Sequence, residues 1–422
     1  MARLLVYDTM TRRKREFTPI RKGEVRLYTC GPSVYSKPHL GNFRTYVFED
    51  VVKRVLMFMG YRVRHVMNLT DIEDKAVRAA KGDMKRLIGI TRRNERIFMK
   101  DSHNLNIIPA DVYPRATESI GAMVGLINKL ERKWLTFKDK KGNVFFDVSR
   151  FPGYGRLSHS KFMHPLDRMV YKDDYYQREA GNFALWKAWK KSDGNIFYDT
   201  ELGRGRPGWH IECSAMSMRY LGTPFDIHMG GVDNIFAHHE NEIAQSEGAT
   251  GRKVANYWLH VRHLLMGGKK MSKSLGNFYT VDDIHRMGYD YDAIRVHLLG
   301  THYRRRLNFT FAGLRDAARE LERCKCCARS LKQREFRGDN LEVDGLTKKM
   351  LAEFEGRVCD DFDIPNAARI FCSFVCDLQE FIKKKKIGKR NARSALAALS
   401  RMDSVLGFMH SAFPQHRLKS RK

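Results

Sequence analysis

Glu24-Val25-Arg26-Leu27-Tyr28-Thr29-Cys30-Gly31-Pro32 decides the fold class. Its first residues alternate polar and apolar, the period of a strand, and Gly31-Pro32 then stops that strand in a loop. Working outward, Phe43 to Met59 carries Val47, Val51, Val55 and Phe58 at helical spacing and ends at Gly60. Arg62 to Thr70 alternates again and predicts a second strand. Strand, helix and strand within about 45 residues make a βαβ unit. Such a unit implies a parallel sheet with its ligand beyond the C-terminal strand ends. The front of the chain is α/β.

Composition bounds the rest of the 422 residues. At 43% hydrophobic and 30% charged the chain can bury a core, which excludes a wholly disordered protein. No run approaches the ~18 apolar residues of a membrane helix. The start, Met1 to Asp8, has too short an apolar part for a signal peptide and predicts a first strand. Eight cysteines without framework spacing do not make a secreted disulfide scaffold. A soluble, cytoplasmic protein with no membrane partner is expected.

There are 77 basic against 48 acidic residues, a formal charge of +29. From Asp316 onward the chain holds 23 basic and 15 acidic residues, so the surplus is not confined to a tail. Charge of this size attracts polyanions, and nucleic-acid phosphates are the first class to consider; general solubility is the alternative. Lys383 to Arg390 is the densest patch and by itself reads as a solvated helix end.

Residues from about Glu118 to Thr200 change to aromatic and Lys-rich stretches, such as Tyr171 to Tyr176, and read as an insertion. The α/β signal returns from Trp209 to about Val254. After Phe311 only helical periodicity remains, through Leu314, Leu321, Leu331, Leu351 and Leu399, which predicts a terminal helix bundle. Cys324, Cys326, Cys327, Cys359, Cys372 and Cys376 fall in it without paired metal spacing and read as buried small residues.

Three constellations carry chemistry. His39-Leu40-Gly41-Asn42 lies between the first strand and its helix, where backbone N–H groups and the positive helix end face an anion. An ordinary helix start would look similar. Lys269-Lys270-Met271-Ser272-Lys273-Ser274-Leu275-Gly276-Asn277 offers two lysines, Lys270 and Lys273, that can neutralise a triphosphate in a loop able to close. The alternative is an exposed basic turn. Third, Gly208-Trp209-His210-Ile211-Glu212-Cys213 is followed by His228-Met229-Gly230-Gly231-Val232-Asp233 and by His238-His239-Glu240-Asn241-Glu242. His238 and Glu242 are four apart and share a helix face. With Cys213 and Cys30 they can complete a four-ligand zinc site; a surface helix pair is the competing reading.

His39-Leu40-Gly41-Asn42 followed far downstream by Lys270-Met271-Ser272-Lys273-Ser274 resembles the paired signature of class I aminoacyl-tRNA synthetases. The full set, with Asn68-Leu69-Thr70-Asp71-Ile72-Glu73-Asp74-Lys75, resembles the cysteinyl-tRNA synthetases from about Leu5 to Leu406. The resemblance implies a class I Rossmann-type parallel-sheet catalytic domain with an insertion, then an α-helical bundle. Its divisions fall at 1–117 and 201–254 for the two halves of the catalytic domain. An insertion occupies 118–200, a region bearing the second signature 255–312, and the bundle 313–422. One Zn²⁺ on Cys30, Cys213, His238 and Glu242 would read the sulfur of L-cysteine, with Thr70 and Trp209 lining the pocket. ATP with Mg²⁺ would meet His39, Gly41, Asn42, Lys270 and Lys273. Gly230, Gly231 and Asp233 would take its adenosine, and tRNA(Cys) would accept the cysteine. DNA is not an expected partner.

The match has departures. Asn42 stands where histidine is frequent, and Met229 and Ala237 stand where Gly and Pro are frequent in the family. Only 15 residues follow Gly407, so the small C-terminal anticodon-reading domain of many members is expected to be missing. Two other activities share parts of the pattern: a zinc-dependent ligase joining cysteine to a small-molecule amine, and a non-catalytic tRNA-binding paralogue.

Overall fold

The computed structural model describes residues 3–159, 181–271, 275–333 and 338–409. Lys273 and the run Tyr171 to Tyr176 lie outside the described residues. The expected βαβ unit is present as β1 (Glu24–Thr29), α1 (Leu40–Phe58) and β2 (Arg62–Met67). The second half adds α2 (Trp209–Leu221), β3 (Phe225–Gly231), α3 (Glu240–Thr250) and β4 (Ala255–Val261). Together the strands form one sheet in the order β4-β3-β1-β2, with every neighbouring pair parallel. Val25, Leu27, Tyr28, Ile227, Met229 and Leu259 are fully buried, as strands covered on both faces require. Because all four strands run the same way, Cys30, Asn68, Val232 and Arg262 leave the sheet along one edge.

Two strands fall outside the expected divisions. Ala255–Val261 pairs with β3 and so belongs to the parallel sheet, one strand beyond residue 254. Gly205–Pro207 pairs with Phe183–Ala188 and closes an antiparallel sheet whose other strands are Thr136–Lys138 and Val144–Phe146. Its Gly and Pro read as loop in the sequence, and an edge position is where a sheet tolerates them. A three-stranded sheet of Lys269–Lys270, Leu264–Met266 and Leu307–Phe309 carries the second signature.

The bundle comprises Phe311–Gln333, Leu341–Cys359, Ile364–Lys383 and Lys389–Leu406. Its apolar face merges with that of the parallel sheet in a single core running from Leu4 to Met409. Cys324, Cys327 and Cys359 are buried as expected, but Cys326 is exposed and Cys372 and Cys376 are half-buried. Helical periodicity turns position 326 outward when 324 and 327 face in. No helix among the described residues is long and apolar enough to cross a membrane.

Candidate active site and metal centre

The edge where the parallel strands end collects the chemistry. Cys30 follows β1, and its N–H donates to Met229 O of β3 at 3.0 Å. Gly31 is required here, because a Cβ would sit 1.8 Å from Asn68 O. That close approach lets the loop after β2 pair with the loop after β1: Thr70 N–H donates to Pro32 O and Val34 N–H to Thr70 O. Thr70 is thereby buried, with its hydroxyl accepting from Asn68 Nδ2 at 3.2 Å. Across the sheet edge, α2 brings Cys213 to within 3.9 Å of Cys30, sulfur to sulfur. His238 and Glu242 arrive from the turn into α3 and from its first residues. His238 Nε2 lies 3.1 Å from Glu242 Oε1, and Cys30 Sγ is 3.9 Å from the same oxygen.

Ligand atoms of Cys30, Cys213, His238 and Glu242 all lie within 4.8 Å of one another, and all four residues are buried. The sequence places these four in one site from three separate segments, and the structure brings them together. It also forms a second, overlapping set that the sequence reading missed: Cys30, His228, His239 and Glu242. His239 Nε2 is 3.2 Å from Cys30 Sγ, and His228 Nε2 is 2.9 Å from Glu242 Oε2. Outer partners fix the rings: His210 Nδ1 lies 2.9 Å from His238 Nδ1, and His260 Nε2 lies 2.8 Å from His239 Nδ1. His238-His239 offered a signal for this, since adjacent histidines at a helix start leave open which one faces inward.

The electrostatics suit a cation. Burial pushes the Cys30 thiol well above its ordinary range, and the neighbouring Cys213 pushes the same way. Burial also raises Cys213. Burial lowers His238, His210 and His260 to about 3 and His239 well below its usual value, so the imidazoles stay neutral donors. Two thiols that resist ionisation, beside neutral imidazoles and a carboxylate, form a set that gives up its protons to a metal rather than to water.

Trp209 opens α2 and stacks on His238, with centroids 4.4 Å apart and planes 27° apart. It is half-buried, unlike a core tryptophan such as Trp258. The insertion sheet pins it there: Gly208 N–H donates to Leu185 O at 2.9 Å, and a Cβ on Gly208 would lie 2.0 Å from Ala184 O.

His39 caps α1, and its N–H donates to Asn42 Oδ1 at 3.0 Å. The Asn42 amide therefore has only Nδ2 to offer a ligand. Gly41 leaves the space that the His39 ring occupies, since a Cβ would meet His39 Cε1 at 2.8 Å. The first signature touches the segment that follows the second: His39 lies edge-on to Phe278 at 4.9 Å, and Leu40 N–H donates to Tyr279 O at 3.0 Å. Lys270 is exposed, and its carbonyl accepts from Asn277 Nδ2 at 3.2 Å. Gly230 and Gly231 end β3, and Asp233 follows in a short turn, half-buried.

Residues 16–319 match the family model for the catalytic domain of class I (C) tRNA synthetases. A cysteine–tRNA ligase of Protochlamydia amoebophila is 39% identical over 410 residues, covering 96% of this chain and 86% of the relative. One from Chlamydia felis is 41% identical over 416 residues, covering 98% and 87%. The chain belongs to the class I cysteinyl-tRNA synthetases. The fold is shared more widely in that class. A Mycobacterium tuberculosis methionyl-tRNA synthetase in complex with methionyl-adenylate superposes with a TM-score of 0.69 at 14% identity, covering 93% of this chain and 92% of the other.

Proposed function

We propose that the chain joins L-cysteine to ATP as cysteinyl-adenylate and passes it to the 3′-terminal adenosine of tRNA(Cys) in the cytoplasm. The reading is carried by Cys30, Cys213, His238 and Glu242 meeting in one buried quartet beside Trp209. The expected divisions at 117, 200, 254 and 312 form part of the same reading, with β4 moved into the catalytic sheet.

Zn²⁺ fits the quartet. Bonds of ~2.3 Å to sulfur in a tetrahedral site imply a sulfur–sulfur edge of roughly 3.8 Å, against 3.9 Å between Cys30 and Cys213. When bound there, the ion supplies a soft Lewis acid that takes a thiolate far more readily than a hydroxyl, separating cysteine from serine. The overlapping set has one thiolate fewer, and its His228 is better used orienting Glu242 through the second carboxylate oxygen.

The remaining work is positioning and charge. Trp209 and Thr70 line the cysteine pocket, so the substrate carboxylate faces the α-phosphorus of ATP. Its oxygen forms the new P–O bond as the bond to pyrophosphate breaks. His39 and the Asn42 Nδ2 group hydrogen-bond the phosphates, while Lys270 and Lys273 stabilise the charge on the leaving pyrophosphate, which departs with its Mg²⁺. Asp233 accepts from the ribose hydroxyls, and Gly230 and Gly231 let the adenosine lie against the backbone. A terminal ribose hydroxyl of the tRNA then attacks the acyl carbon, and AMP leaves.

The test is cysteine-dependent ATP–pyrophosphate exchange alongside metal content. Cys213→Ser is expected to lose the metal and to depress exchange beyond the ~10–100-fold that outer-shell partners cost. Full metal content and unchanged exchange in that variant would remove Cys213 from the site.

A further inference from the structure

Between Glu247 and Asp282, and again between Asp292 and Asp316, the sequence contains no Asp or Glu. These two stretches build β4 and the three-stranded sheet beside it. In a chain with 48 acidic residues, their absence from one surface leaves its cations unneutralised. Arg262 and His263 follow directly on β4, at the edge where the catalytic residues gather, and both are exposed. Arg262 N–H donates to Tyr303 O at 2.8 Å and Leu307 N–H to His263 O at 3.2 Å. Those two bonds hold the exposed Arg305 and Arg306 alongside them.

The register adds the second signature to the same rim. Leu265 pairs antiparallel with Lys270 and Met266 with Lys269, so the chain beyond Lys270 runs back toward His263. Arg304 is the exception, being bound to Asp361 and stacked on Tyr7. Arg262, Arg305 and Arg306 make no ion pair with any acid among the described residues. Elsewhere exposed cations are paired, as Lys384 is with Glu380 and Arg390 with Asp344 in the Lys383–Arg390 run.

We propose that Arg262, Arg305 and Arg306 form a phosphate-binding rim that holds the acceptor-arm backbone of the tRNA while its terminal adenosine enters the site. The inference rests on the function proposed above. Guanidinium groups suit phosphate by bidentate geometry, and their place at the end of β4 puts them beside the reacting centre. No base contact is involved, so the rim contributes affinity and register rather than sequence choice.

The experiment compares Arg262→Gln/Arg305→Gln/Arg306→Gln with a charge-matched control, Lys383→Gln/Lys384→Gln/Lys385→Gln, in the full-length chain. Binding of a labelled tRNA(Cys) transcript is followed against salt, and cysteine-dependent ATP–pyrophosphate exchange is measured without tRNA. The rim variant is expected to weaken binding on the order of tenfold or more near 0.1 M salt, and to flatten the log–log salt slope by about 1 per arginine removed. Its exchange rate should match the parent's, and the control should bind nearly as the parent does. An unchanged slope in the rim variant, or an equal loss in the control, would overturn the rim. Absence of exchange in the parent would count against the proposed function instead, since the binding slope is read without catalysis.

Discussion

A methyl group at position 41 would sit 2.8 Å from Cε1 of His39, and that ring has Phe278 on its other side. Gly41→Ala should therefore turn His39 away from the start of α1. The expected result is a fall in the exchange rate of the 10²–10⁴-fold order that misplaced catalytic groups cost, with KM for cysteine and the thermal midpoint little changed. A raised KM for cysteine at full rate would place His39 in the amino-acid pocket instead. Much at this scale was legible. Cys30, Cys213, His238 and Glu242 could be named because spacing and resemblance agreed. His228, His239, His210 and His260 could not, since the turn Ile235–His239 departs from regular α-helical spacing. Which neighbouring histidine points inward is set there by tertiary packing and not by an i, i+4 rule. Asn42 was legible as a hydrogen-bonding residue, but not the use of its oxygen by the backbone of His39.

At the scale of elements, the insertion sheet positions α2. Ala184 and Leu185 of the strand Phe183–Ala188 abut Gly208, and Trp209 and Cys213 follow within the first turn and a half of α2. Gly208→Ala should displace that helix start, lowering the thermal midpoint and the metal content together. Gly121→Ala, in the helix Ile120–Arg132 with nothing within 4 Å of the added carbon, serves as comparison. It should gain up to roughly 1 kcal/mol from helix propensity and leave metal content unchanged. Equal behaviour of the two variants in both measurements would mean that the insertion does not support the site. The sheet itself was only partly readable in the sequence. Phe183–Ala188 is continuously apolar and signals a buried strand, whereas Gly205–Pro207 takes its identity from its partner alone.

For the whole molecule, the junction of α1 with the bundle rests on buried charge. Asp50 binds Arg54 and Arg295, and those arginines donate to Ser404 O and Leu406 O at the end of the last helix. Burial alone would raise the Asp50 carboxyl, but Arg54 and Arg295 outweigh it and hold the group below its ordinary range. A depressed folded value means that its stabilisation is complete above the unfolded value, near pH 4, and fades as pH falls through the folded one. Asp50→Asn should cost about 3–5 kcal/mol at pH 7, as expected when buried cations lose their partner. The gap between parent and variant should close on acidification below pH 4, read from thermal midpoints. A gap independent of pH would show that the carboxylate charge is not what holds the junction. The union of bundle and catalytic sheet in one core was not legible from helical periodicity, which marks a buried face without naming what covers it.

The most direct measurement is attachment of labelled cysteine to total tRNA, with serine in parallel, before and after metal removal and after restoration with Zn²⁺. Cysteine should be esterified and serine excluded, with charging lost to the chelator and recovered with zinc. Cysteine-dependent ATP consumption without transfer to RNA, or serine charged as well as cysteine, would contradict the account.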